Sequence, residues 1–365
     1  MVSLKSTLHG TMPAALNRNN LFISHKTGSF TPIFYLPKLT QSSRDCLKAL
    51  SLPTCLTGTT SGDESPRLDH SAQRRSLLTA LCLLAATPTN LLPALALETT
   101  ALFQADIDLS LAPDQSLYDA ADPRLRAAAA LVQDALNADD VQKEEALWTK
   151  IITEYSNIDA PWAADVVGRA WGNRGNARAR QGKLQEALSD YNTAIKLCPW
   201  SVDPVLNRGV TLEALERFPE AIADYKAVLK VAPDDPSAWN NYGNASAGLG
   251  DWKTASEGFA RAVQLAPQFS FAMVNKAVAD FQLGKDDIAF KQLRTLLRRY
   301  PDFADARAAL AAALWDAGLQ AQAEEEWGRV NDPRYRDLSW LQANRRWPPR
   351  LVRGLTAFLG IKDIK

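Results

Sequence analysis

The sequence predicts an all-α fold, a solenoid of about five stacked helix pairs, and three observations predict it. Prolines recur with one spacing at Pro199, Pro233, Pro267 and Pro301, and alanines keep it at Ala187, Ala221, Ala255, Ala289 and Ala323. Small residues repeat in the same register at Gly175, Gly209, Gly243, Ala277 and Ala311, and bulky ones at Tyr191, Tyr225, Phe259, Leu293 and Trp327. Short turn signals such as Gln181-Gly182-Lys183 and Gly248-Leu249-Gly250-Asp251 separate two helices within each unit. A fixed period of this kind marks a repeat architecture, in which each unit buries its apolar face only against its neighbours.

Each column has a physical reason. A glycine or alanine in the first helix, facing an alanine in the second, sets a short interhelical distance. The bulky residue four after that alanine shares its face and is expected to fill the groove between neighbouring pairs. Proline lacks an N–H and restricts the residue before it, which ends the second helix. Trp171 and Trp239, with the glycine, alanine and proline columns, resemble the tetratricopeptide repeat (TPR) over residues 168 to about 335. The resemblance implies a right-handed superhelix with repeats at 168–201, 202–235, 236–269, 270–303 and 304–335. Arg174 and Arg208 stand where that family has leucine, and Arg178 and Ser246 where it has tyrosine. These departures are expected to loosen the first helices' packing.

Residues 123–167 read as a divergent N-terminal helix pair, with Leu125, Ala128, Leu131, Val132 and Ala135 on one face and Ala146, Leu147, Ile151 and Ile152 on the next. Such a pair covers an open end of a solenoid. Residues 97–122 show no period and read as a linker. In residues 336–365, Pro348 and Pro349 open a helix with Leu351, Val352, Leu355, Phe358 and Leu359 at helical spacing, and Arg350 and Arg353 in its first turns. It reads either as a C-terminal cap on the fifth repeat or as a basic amphipathic helix for a membrane surface or a partner.

Residues 1–96 read as addresses rather than fold. Residues 1–62 hold 17 serines and threonines, six basic residues and one acidic residue, Asp45, the profile of an organelle transit peptide. Arg74 and Arg75, the apolar run from Ser76 to Ala86 and the small-residue site Ala94-Leu95-Ala96 then make an export signal, which is either cleaved or kept as an anchor. Two addresses in series point to a chloroplast transit peptide followed by a thylakoid-transfer signal, with the thylakoid lumen as destination and the stroma or the membrane face as the alternative.

The remainder has no histidine and one cysteine, because His9, His25, His70, Cys46, Cys55 and Cys82 all lie in residues 1–96. That excludes a histidine-dependent triad, a His or multi-Cys zinc site and an intramolecular disulfide, and no cofactor or metal site is expected. Residues 1–96 carry nine basic and four acidic residues, so the remainder keeps 32 of 41 basic and 37 of 41 acidic ones, a net charge of −5 that suits nucleic acid poorly.

Function is therefore sought on the surface that the first helices line. Asparagine stands at one column in four successive repeats, Asn173, Asn207, Asn241 and Asn275, with Asn176 and Asn244 three residues further along two of the same helices. An amide offers a donor and an acceptor, matching an extended peptide backbone. Four such contacts supply roughly 2–6 kcal/mol, against about 8 for micromolar affinity. The column resembles the superhelix of O-GlcNAc transferase, without that enzyme's catalytic domain, and it also reads as a set of bonds to neighbouring helices. Residues Gly172, Ser237 and Asn241 stand where a carboxylate clamp for chaperone tails wants basic side chains. Asp234-Asp235 and Asp286-Asp287 read as helix starts. The sequence thus predicts a non-enzymatic scaffold that holds extended segments of partner proteins, photosystem components among them, in assembly or maintenance of a thylakoid complex, with peripheral membrane contact through the C-terminal helix. The alternative is a constitutive subunit or homo-oligomer that uses the convex face or that helix.

Overall fold

The computed structural model describes residues 104–362, so the signals expected in residues 1–96 lie outside it. The described residues form helices and turns and contain no strand. Helices α1 (Pro123–Leu136) and α2 (Val141–Tyr155) precede five pairs: α3 (Ala163–Arg180) with α4 (Leu184–Leu197), α5 (Asp203–Ala214) with α6 (Phe218–Val231), and α7 (Pro236–Gly248) with α8 (Trp252–Leu265). Then come α9 (Ser270–Gln282) with α10 (Asp286–Arg299) and α11 (Ala304–Asp316) with α12 (Gln320–Gly328). The short α13 (Leu338–Asn344) and α14 (Pro349–Lys362) follow. From α1 to α12 each helix packs on the next in sequence, which is the arrangement of a solenoid.

The small-residue column works by close approach. A Cβ on Gly175 would lie 2.7 Å from Tyr191, on Gly209 2.6 Å from Tyr225, and on Gly243 2.7 Å from Phe259. The bulky residue therefore stacks on the glycine of its own pair, and not in the groove between pairs as its spacing suggested. Turns between paired helices need a left-handed residue, supplied by Gly182, Gly250, Gly284 and Gly318 at φ of 78°, 79°, 77° and 80°. In the second repeat Glu216 takes that place at φ 59°. Substituting Glu216→Gly is expected to stabilise the fold by about 0.5–1 kcal/mol, since the left-handed penalty exceeds the entropy that glycine adds to the unfolded chain. A rise in urea midpoint at unchanged m-value checks it.

Arg174 and Arg208 tighten the first helices instead of loosening them. Arg174 forks onto Asp190 at 2.9 and 2.8 Å, and Arg208 onto Asp224 at 2.8 and 2.6 Å, all four side chains buried. Each pair joins the two helices of one repeat. Arg178 adds a bond to Asp190 at 2.9 Å and one to Glu145 at 2.8 Å, tying α2 to the first repeat. Burial pulls the Glu145 carboxyl up, but bonds from Arg178, Lys183 and Gln181 outweigh it and hold the group at about 2.

The segment expected as a linker is laid down in its described part. Ala105 and Ile107 are buried, the Asp108 N–H donates to the Pro199 carbonyl at 3.1 Å, and Lys230 pairs with Asp106 at 3.1 Å. At the other end α11 is buried on every side, residues 305–314 without exception. Its neighbours α10 and α12 cover two sides, and α14 covers the third. Residues Ala308, Ala309, Ala311 and Ala312 suit that position because only a small side chain leaves room for three helices.

Candidate functional site

Successive first helices approach one another at α3–α5, α5–α7 and α9–α11, so they line the inner curve of the repeats. The six asparagines expected there fall into two clusters. Asn176 Nδ2 donates to Asn173 at 3.5 Å, Asn207 Nδ2 donates to Asn176 at 2.9 Å, and the Tyr191 hydroxyl donates to the same Asn176 oxygen at 2.8 Å. In the second cluster Asn275 Nδ2 donates to Asn244 at 3.3 Å and to Asn240 at 3.1 Å, while Asn240 Nδ2 donates to Asn241 at 3.4 Å. Asn176, Asn207 and Asn241 are only 7, 2 and 8 % exposed, and Asn173, Asn244 and Asn275 are half-buried. Stacking explains the pairing: both Asn207 with Asn176 and Asn275 with Asn244 are separated by 31 residues, one repeat less one helical turn.

Carboxylates as well as amides on this surface hold a turn of the protein's own chain, the C-terminal cap of α13, where the Arg345 and Arg346 N–H groups both donate to the Leu341 carbonyl. After α13 the backbone leaves the helix at Arg345 and resumes it at Pro349. Arg345 forks onto Asp305 of α11, through Nε at 2.7 Å and Nη2 at 2.5 Å, and its Nη2 also reaches Asn275 at 3.4 Å. The Tyr335 hydroxyl donates to Asp305 at 3.0 Å. Arg346 donates to the Glu213 carboxylate of α5 at 3.0 Å and to its carbonyl at 2.9 Å, with the guanidinium 5.5 Å from the Phe218 ring. Arg350 forks onto Asp286 at 2.6 and 2.8 Å, bonds Asp316 at 2.8 Å and lies 3.9 Å over Phe281. Its backbone N–H donates to the Gln282 side chain at 2.9 Å.

Helix α14 is thus a cover for the inner side of α11 that also reaches α9. A Cβ on Gly354 would meet the Ala312 carbonyl at 2.5 Å, and Phe358 sits between Trp315 at 5.0 Å and Trp327 at 5.2 Å. Leu351, Leu355 and Phe358 are buried. The apolar face that contact with a membrane or a second copy would use is therefore occupied within the chain. Among the described residues no helix is long and apolar enough to cross a membrane. Of the tryptophans outside the repeat columns, Trp347 is buried and Trp200, Trp252 and Trp340 are half-buried. Asp235 caps α7, and Asp286 belongs to the Arg350 socket.

Burial, opposed by Arg346 and by the Tyr225 hydroxyl, pushes the Glu213 carboxyl up to about 7. A carboxyl raised in the folded state contributes its full stability below its unfolded value and loses it as pH rises through the folded one. Between about pH 4.5 and pH 7 the wild type is expected to lose up to about 3 kcal/mol relative to Glu213→Gln. Urea unfolding of both proteins across that window checks it, and parallel pH profiles would contradict it.

Sequence reasoning missed Asn240, Glu213, Asp305, Arg345 and Arg346. The available signal was the fifth repeat, where asparagine gives way to Ala309 and the inner side turns apolar, as a covered surface requires.

Residues 168–201 match a family model described as tetratricopeptide repeat, and residues 206–268 and 274–334 match a second model of that description. No curated protein matches the chain. Among solved structures, a tetratricopeptide repeat protein from Parabacteroides merdae ATCC 43184 is 17% identical with a TM-score of 0.51, over 63% of this chain and 97% of that one. MamA from Desulfovibrio magneticus RS-1 is 17% identical with a TM-score of 0.43, over 49% of this chain and 96% of that one. YrrB, described as a TPR protein with an unusual peptide-binding site, is 20% identical with a TM-score of 0.41, over 54% of this chain and 97% of that one. The first likeness shows the fold alone. Repeat spacing, helix pairing and the family matches together make the chain between residues 168 and 334 a tetratricopeptide-repeat solenoid.

Proposed function

We propose that the chain is a non-enzymatic scaffold that holds extended segments of partner proteins against the first helices of its repeats. One observation carries the reading: that surface already holds a non-helical stretch, residues 345–348, through amide and carboxylate side chains from three repeats. Tetratricopeptide repeats as a class offer such extended inner surfaces for other proteins. The lone described cysteine suits no catalytic role, because burial and the nearby Asp165 push the Cys198 thiol up to about 12 against the pull of Arg169. Residues 1–96 support the thylakoid lumen as the place, and assembly or maintenance of a photosynthetic complex as the task.

A photo-crosslinking residue placed at Asn244 on the inner side, and separately at exposed Glu257 on α8, tests this in isolated plastids. The reading expects a defined partner to be captured from position 244 and not from 257. Capture only from 257 overturns it and favours a subunit that docks through its outer helices.

A further inference from the structure

Residues 345–348 sit on the inner face as a ligand would. Two successive guanidinium groups enter two separate acidic sites: Asp305, which is 2 % exposed and takes Arg345 in a fork, and Glu213, which takes Arg346 with a carboxylate and a carbonyl. A planar guanidinium matches both arrangements, and an ammonium would fill neither fork. The Phe218 ring adds an apolar wall to the second site.

The occupant fits imperfectly. Arg346 is held at φ 43°, in the left-handed region that favours glycine, at the end of α13. An arginine at that backbone position is explained by what its side chain reaches. The Trp347 indole N–H and the Asn207 side-chain oxygen, both buried, have no hydrogen-bond partner among the described residues. A segment arriving from another molecule is free of the bend that α13 and α14 impose on residues 345–348, and it can satisfy polar atoms that this stretch leaves unmet.

We propose that the inner face of α5, α9 and α11 recognises a partner segment carrying adjacent arginines, and that residues 345–348 are its resident occupant, displaced when such a segment binds. The inference rests on the scaffold reading and names its partner chemistry. A tethered occupant competes at an effective concentration on the order of millimolar, so a free peptide meets a weakened surface until the tether's arginines are removed.

The test uses a fluorescent peptide with the sequence of residues 340–351 and the full chain, wild type and Arg345→Ala/Arg346→Ala/Arg350→Ala. Anisotropy is expected to show saturable binding at least about 10-fold tighter to the triple variant. Binding is expected to vanish when the peptide's adjacent arginines become alanine, or when Glu213→Gln and Asp305→Asn are added to the receptor. Absence of saturable binding to a variant that keeps its helical circular dichroism overturns the inference, as does binding indifferent to those changes. Should the triple variant not fold, the wild type decides: excess peptide must accelerate hydrogen exchange at the Arg350 amide, and unchanged exchange overturns the proposal. Loss of the arginine preference with capture at position 244 intact removes this inference alone, whereas failure of that capture removes the scaffold reading.

Discussion

Replacing Arg208 with alanine is expected to lower the unfolding free energy by about 3–5 kcal/mol, the cost of stranding a buried carboxylate. Arg208 is 1 % exposed and is the bidentate partner of Asp224, itself buried where α5 meets α6. Burial pushes the Asp224 carboxyl up despite Arg208, so desolvation outweighs the attraction of the pair. That ordering has a second consequence. The double variant Arg208→Leu/Asp224→Leu, which puts back the leucine the repeat usually has, is expected to recover most of the loss. Equilibrium unfolding in urea of Arg208→Ala and of the double variant, each against the wild type, measures both. A double variant as unstable as Arg208→Ala would mean that the pair contributes net stability after all.

Gly354→Val should destabilise less than Arg208→Ala, and by a different route. Any side chain at Gly354 meets the α11 backbone at the Ala312 carbonyl and, at 3.0 Å, the Asp316 Cβ. Backbone cannot turn aside as a flexible side chain does, so α14 has to lift away. Overpacking of this kind costs about 1–3 kcal/mol where the structure can relax, and the loss is capped because the tail can leave into water. Limited proteolysis is expected to cut residues 336–360 early in the variant while the first three repeats stay intact. Uniform cleavage across all repeats would show instead that α14 is integral to the whole solenoid.

The columns of the repeat were legible because each reports a steric demand made at every turn of the same stack. Gly175 must be small under Tyr191, and Pro199 must end a helix, whatever else the chain does. The buried ion pairs went unread: Arg174 with Asp190 and Arg208 with Asp224 share one separation of 16 residues, but arginine at the leucine column and Arg178 at the tyrosine column pointed to loosened packing instead. The asparagine ladder was half legible. Its column is periodic, but whether an amide faces a peptide or the next amide depends on the angle at which repeats stack, which spacing does not fix. The tail's path was not legible, since Arg346 meets Glu213 across 133 residues and Arg345 meets Asn275 across 70, with no period linking them. Only the alanines of α11 hinted that something lay on that face.

This arrangement also bears on the charge of the surface. Positions where chaperone-binding repeats carry basic side chains hold Gly172, Ser237 and Asn241 here, and the inner face instead presents Glu213 and Asp305. Arginine-bearing chains suit it where acidic tails do not.

Amide hydrogen exchange at Arg350 measures whether residues 345–350 lie on the inner face in solution. The Arg350 N–H is bonded to the Gln282 side chain in α9, a partner available only when the tail is docked. Slow exchange at Arg350 in the wild type, becoming fast in Asp305→Asn while amides of α3 to α8 are unchanged, is the predicted result. Exchange in the wild type as fast as in an unstructured peptide would contradict it.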